Sequence, residues 1–362
     1  MRYLAFAVAV VGAGAAADVP RVAVDIAPVH SIVAAVMGDL GKPALIVPPG
    51  ASPHDHALRP SEAAALDSAD LVVWMGHGLA PWLEGPVDGL AGDAVVLELL
   101  DHPSTQLLEV REGATFAPHD HDHGEAHDDH AEGHEDPADD HDDHGHEDHT
   151  EKHDEHDHDD HAKGHDDHGH EEHAEKHDDH GHDDHADAHD HGAHEGGDPH
   201  AWLDPENAVA WAALIAEQLG EMDPENAEIY VANADTFSSN INSLSADIEA
   251  ILAPVKGRAF VVFHDAYHYF EHRFDIEAAG AVSSNDAVAP SAARLSELRA
   301  EIAALDAVCA LTEPQFNPAI LDALGATQLG EVDPLGATLT PGPDLYGLLL
   351  TNMATSLANC LK

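Results

Sequence analysis

Positive charge is scarce in this chain. Fourteen Lys and Arg residues stand against 70 Asp and Glu, for a formal net charge of −56. So acidic a surface repels phosphate backbones and anionic bilayers, which excludes nucleic acid and anionic membranes as partners, while its field attracts cations. Cysteine is nearly absent, with only Cys309 and Cys360. Long hydrophobic runs are missing too. The apolar stretch 4–11 is too short and too close to the terminus for a permanent membrane helix.

That stretch reads as the core of a secretory signal. Arg2 supplies a basic start and Ala15-Ala16-Ala17 an A-x-A cleavage site, so residues 1–17 are expected to be removed, leaving a soluble periplasmic protein. No Cys stands at the cleavage point, which argues against a lipid anchor. In an oxidising compartment the Cys309/Cys360 pair is expected as a disulfide tying the C-terminal end to an interior strand; two buried thiols are the alternative.

What the chain has in excess is histidine. Of its 34 histidines, 25 lie within residues 117–197. Units such as His127-Asp128-Asp129-His130 and His182 to His185 repeat there. In the same span 32 acidic residues meet only Lys152, Lys163 and Lys176, a net −29 that leaves −27 for the rest. The tract has no apolar periodicity and no large hydrophobe, so it cannot bury enough surface to offset the entropy of ordering and reads as a disordered insertion. Imidazole and carboxylate are ligands for divalent metal ions.

Removing signal and insertion leaves about 260 residues to fold. Short apolar runs at 19–26, 44–47, 70–75 and 94–99 read as strands, with helices at 28–37 and 61–68 and a helix-like patch before the fourth strand. Strands apolar on both faces that alternate with helices indicate a parallel sheet covered on both sides. This N-terminal α/β lobe is expected to span 18–116 plus 198–222. Its last helix, capped by Asp204 and opened by Pro205, should stop at Gly220. From Asp223 to about Leu252 no Gly and no Pro follows Pro224, and Ile229, Phe237, Ile241, Leu244, Ile248, Ile251 and Leu252 recur at mostly helical spacing. Residues 223–255 therefore read as one long linker helix, capped at Asp223. Strands at 259–263, 278–282, 307–311 and 327–331 and helices at 267–274, 291–305, 318–324 and 345–360 repeat the first rhythm as a C-terminal α/β lobe, 256–362. The fold class is α/β: two lobes, each a parallel sheet flanked by helices, joined by one long rigid helix.

Four metal-ligand types are expected just past strand ends, where open α/β sheets bind ligands. They are His54, His200, His264 and Asp333. Three imidazoles and one oxygen suit tetrahedral zinc, Zn2+. His30, His77, His102, His268 and His272 read as structural, with the His268/His272 pair a conceivable weak accessory site.

Five stretches resemble one family: 48–61 (PPGASPHDHALRPS), 198–203 (DPHAWL), 262–267 (VFHDAY), 313–316 (EPQF) and 333–336 (DPLG). In this order, over nearly the whole mature chain, they resemble the ZnuA family, zinc-specific solute-binding proteins of ABC importers, in a wider group that also serves manganese. The resemblance implies zinc in a cleft between two lobes and delivery to an ABC membrane permease. Matched motif by motif, it makes His54, His200 and His264 the zinc ligands. Some members carry a Glu immediately before the first ligand; here that residue is Pro53, which cannot ligate. Asp333 is the preferred fourth ligand and a water the alternative. His56 is expected beside the site as a polar neighbour. The His-rich insertion and a C-terminal disulfide are typical of the zinc branch.

Three rival readings stand beside this one. An exported zinc hydrolase would need a general base; no H-E-x-x-H motif supplies one, and Asp265 and Glu313 are the only candidates near the ligands. A periplasmic zinc buffer or metallochaperone would share the ligands, and a manganese-specific member would share the fold. The expected protein is a monomer, not an enzyme, that exchanges zinc with its permease and conceivably with a periplasmic metallochaperone. Its insertion is a multivalent zinc collector or sensor, and the long helix favours loop movement over wide domain closure.

Overall fold

The computed structural model describes residues 19–111, 116, 197–283, 291–305, 307, 309–315 and 328–362. The signal segment 1–17, the insertion up to residue 196 and the helix expected at 318–324 lie outside them.

Among these residues two all-parallel sheets form. The first contains β1 (Val22–Val24), β2 (Ala44–Leu45), β3 (Leu71–Trp74) and β4 (Val95–Glu98), in the order β2-β1-β3-β4. Helices α1 (Ala27–Met37), α2 (Pro60–Asp67) and α3 (Pro81–Leu90) make the crossovers. Two helices follow, α4 (Pro205–Met222) and α5 (Ala227–Leu252). The second sheet contains β5 (Phe260–His264), β6 (Gly280–Ser283), β7 (Cys309–Thr312) and β8 (Gln328–Glu331), in the order β6-β5-β7-β8. It carries α6 (His268–Phe274), α7 (Ala292–Leu305) and α8 (Leu345–Cys360).

Alternation along each strand explains the continuous apolar runs. Val22, Val24, Leu71 and Val73 face a large central core, whereas Ala23, Val72 and Trp74 face a smaller one on the other side of the sheet. The second sheet repeats this: Phe260, Val262, Cys309 and Leu311 join the same central core, and Val261, Phe263 and Ala310 enter a third cluster. Phe237, Ile241 and Ile248 of α5 belong to the central core, so apolar packing is continuous from one sheet to the other. Two outer strands depart from the expectation of two covered faces: Val95 and Val96 on β4 are 39% and 41% exposed and Leu329 on β8 is 44% exposed, whereas the outer strand β6 is buried throughout.

Two helix boundaries also differ. α4 continues through Gly220 to Met222, since a lone Gly costs only about 1 kcal/mol in a helix. A Cβ there would come 3.1 Å from the Ala227 Cβ, so glycine is what lets the start of α5 approach. The stop is set by Asp223, which leaves helical geometry before Pro224. Asp223 does not cap α5. Its carboxylate accepts from Asn226 Nδ2 (2.7 Å) and Tyr230 OH (2.9 Å), and α5 starts only at Ala227. The 26 residues of α5 extend about 39 Å. Ile229 is exposed, and Tyr230 and Ala234 take the buried face instead.

The two halves are latched by buried bonds. Trp202 Nε1 donates to Pro334 O (2.8 Å) and Tyr346 OH to Trp202 O (2.7 Å). Arg273 on α6 makes bonds of 2.8 and 2.7 Å to Asp204, the residue that caps α4. Arg111 pairs with both Asp265 and Glu271, and its guanidinium lies 3.9 Å over the Phe116 ring. Cys309 and Cys360 form the expected disulfide, joining β7 to the end of α8.

Candidate metal centre

Both sheets reverse their strand order at one point, between β1 and β3 and between β5 and β7. In open parallel sheets that point opens a crevice at the carboxyl ends of the strands. His264 is the last residue of β5, and Glu313 follows the end of β7 directly. At the matching point of the first sheet, Asp25 accepts from Ile26 N and Met75 N, both at 2.7 Å, and so ties β1 to β3.

His54, His200 and His264 come together. One ligand atom from each lies within 4.8 Å of the other two, and the ring centroids are 4.9 to 5.8 Å apart. Trp202, Ala266, Pro334 and Leu335 wall the pocket with apolar surface. Water-poor surroundings strengthen each ligand–ion attraction. His200 and His264 are buried and His54 is partly exposed, so the pocket opens on the His54 side.

Each histidine is presented differently. His54 lies in the loop between β2 and α2, and the residues around it are pinned. Trp82 Nε1 donates to Pro53 O (2.7 Å), and His56 Nε2 lies 2.9 Å from Glu62 Oε2, with its ring against Trp82. Glu62 also accepts from Arg59 N (2.7 Å), which fixes the start of α2. His56 is thus an anchor of the loop. His200 does not follow a strand, contrary to expectation; it sits in the turn that leads into α4. Asp198, two residues earlier, accepts from His200 N (2.9 Å) and lies 2.7 Å from its Nδ1. With Nδ1–H donated there, Nε2 is left as the candidate atom for a metal. Burial works to raise the Asp198 carboxyl, but the His200 charge and bonds from His200 and His268 outweigh it and hold the group well below the usual carboxylate range. His264 has Glu313 behind it, with Oε1 3.3 Å from Nδ1.

Asp333, expected as the fourth ligand, is not among the groups brought together. Its oxygens accept from Ala337 N (2.8 Å), Thr338 N (2.9 Å) and Thr338 Oγ1 (2.9 Å), so the carboxylate closes its own turn. Gly336, at φ 68°, completes that turn in a conformation that favours glycine. The DPLG stretch therefore shapes the pocket through Pro334 and Leu335.

The other histidines among the described residues have local partners. His30 Nε2 lies 3.1 Å from Pro43 O, His77 Nδ1 2.9 Å from Glu84 and His102 Nδ1 2.7 Å from Ser104 Oγ. His268 is buried near Asp198 while His272 is exposed, so that pair presents no shared ligand face to solvent. Sequence reasoning gave no role to Asp198 or Trp82. The D-x-H spacing was a usable signal for the first; nothing local marked Trp82, which lies 29 residues from Pro53.

Comparison with known proteins agrees with this geometry. The family described as "Zinc-uptake complex component A periplasmic" matches residues 22–360. A high-affinity zinc uptake system protein ZnuA of Paracoccus denitrificans is 43% identical, covering 99% of this chain and 97% of its own. That of Brucella suis is 41% identical, covering 99% and 96%. A ZnuA crystal structure, 20% identical, superposes with a TM-score of 0.64 over 95% of this chain and 100% of its own, which shows the shared fold. No helix among the described residues is long and apolar enough to cross a membrane. With its two parallel sheets, its trio of histidines and a match over nearly its whole length, the chain belongs to the ZnuA family of periplasmic zinc-uptake components.

Proposed function

We propose that the protein captures Zn2+ through His54, His200 and His264 and hands it to the membrane permease of an ABC importer. The observation that carries this reading is the cluster of three imidazoles in an apolar pocket. An all-imidazole set favours zinc over manganese, which prefers carboxylate and carbonyl oxygens. With the Asp333 oxygens engaged in their turn, water completes a four-coordinate ion. The protein is a binding component, not an enzyme. Asp265 is clamped by Arg111, which leaves it unsuited to activating water.

Capture and release follow from the ligands. Imidazole binds metal only when neutral, so protons compete with zinc and acidification weakens binding. We further propose removal of residues 1–17 on export to the periplasm. The working division is an N-terminal lobe of 18–116 with 198–222, the insertion 117–197 as zinc collector, a linker 223–255 and a C-terminal lobe 256–362.

A competitive zinc titration tests the reading. One tight equivalent should survive deletion of residues 118–195 and disappear in His264→Ala. If the deletion removes all tight binding and His264→Ala changes nothing, the protein is a histidine-tract buffer and the pocket is not its transport site.

A further inference from the structure

His200 has a close carboxylate partner behind it, and the symmetry of the site raises the question of what does this for His264. Glu313 is 1% exposed. Its Oε1 lies 3.3 Å from His264 Nδ1, and its Oε2 accepts from Gln315 Nε2 at 2.6 Å. Oε1 is buried without a complete hydrogen bond, and the Tyr267 hydroxyl also faces this carboxylate. So buried a carboxylate oxygen costs stability unless some state of the protein gives it a donor.

Strand register places this carboxylate. β5 and β7 are adjacent, pairing Phe260 with Cys309 and Val262 with Leu311, and their carboxyl ends carry His264 and Glu313 side by side. β7 is in turn tied to α8 through the Cys309–Cys360 disulfide. The carboxylate is therefore held by the sheet itself. It lines the same pocket as the three histidines, beside His264, but is not one of the groups whose ligand atoms cluster within 4.8 Å.

We propose that Glu313 is a positioning residue for zinc: it accepts Nδ1–H from His264 when the ion binds, which leaves Nε2 as the donor atom to the metal. This rests on the pocket being the zinc site. Two consequences follow. The His264 ring is held in one tautomer and orientation, and its basicity toward the ion rises. Asp198 and Glu313 also supply two buried negative charges near the pocket without either one ligating. A dication bound by neutral imidazoles is then balanced electrostatically, and its burial becomes less costly.

The test uses the full chain and zinc or cobalt ions alone. Glu313→Gln should weaken tight zinc binding about 10- to 100-fold, the range typical for a partner behind a metal-bound histidine. The visible spectrum of bound Co2+ should keep its band positions, because the ligands are unchanged. In a His264→Ala background, which has already lost the tight site, Glu313→Gln should leave the residual weak zinc binding unchanged, since its effect runs through that ring. Thermal melting of the metal-free single variant checks that the fold is retained; if it is not, Gln315→Leu, which frees Oε2, should weaken zinc binding in the same direction. The proposal is overturned if zinc affinity in a folded Glu313→Gln stays within about two-fold of the original. A changed Co2+ spectrum would also overturn it, by making Glu313 a ligand. If His264→Ala itself keeps tight zinc, the transport site is misassigned, an outcome distinct from loss of the Glu313 effect alone.

Discussion

Asp25 shows how one buried group sets a pH dependence. Burial pushes its carboxyl up to about 7, against the backbone N–H bonds from Met75 and Ile26. The native state thus holds a proton that the unfolded chain has already released. The resulting stabilisation is complete below the ordinary carboxylate value and disappears as pH rises through about 7. The stability of the metal-free protein should fall between about pH 4 and about pH 7 through this group, by an amount on the order of a few kcal/mol, read as a falling thermal midpoint. Asp25→Asn should flatten that slope; an unchanged slope would remove Asp25 as its source. Arg111 is the second such residue. Its side chain is 6% exposed and neutralises two buried acids, Asp265 and Glu271. Arg111→Met strands both charges and should cost about 3–5 kcal/mol, read as a lower urea midpoint at constant slope. Neither role was legible in the sequence, because the partners of Asp25 and Arg111 include residues 50 and 160 positions away.

At the scale of elements, the His54 loop and the α4–α5 pair are instructive. Pro48-Pro49-Gly50 marked a loop correctly, but what holds the loop still is Trp82 on α3. Trp82→Phe removes the bond to Pro53 O, worth about 0.5–1.5 kcal/mol. Zinc binding should weaken by up to about ten-fold, with far less effect on the melting of the metal-free protein. Equal affinity in a zinc titration would show that the loop is ordered by other contacts. Most strands and helices were legible from apolar runs and from Asp204-Pro205, because those signals are local. Gly220 was misleading for the opposite reason: its local cost is small, and its packing against Ala227 decides the outcome.

For the whole molecule, the continuous core through α5 and the latches of Trp202, Tyr346, Arg273 and Arg111 oppose wide domain closure. Breaking them together would expose buried donors and charges. Small-angle scattering of the insertion-deleted protein should therefore superpose with and without zinc; a contraction on zinc addition would show a hinge. The disulfide closes a segment with a sequence separation of 51. Replacing both cysteines with alanine should lower stability by roughly 4 kcal/mol in the chain-entropy picture, measured by denaturant titration.

The sequence alone determined the alternation of strands and helices, the long α5, the three histidines and the family, since periodicity, caps and motif order are written in neighbouring residues. Tertiary structure decided where the carboxylates stand relative to the three histidines. Asp333 carries the same side-chain chemistry as Asp198, but its turn closes on its own carboxylate. Asp198 and Glu313 stand behind His200 and His264 because a tight turn and the β5–β7 register place them there. A carboxylate's role depends on which donors surround it in space, and that is settled only once the sheets are paired and packed.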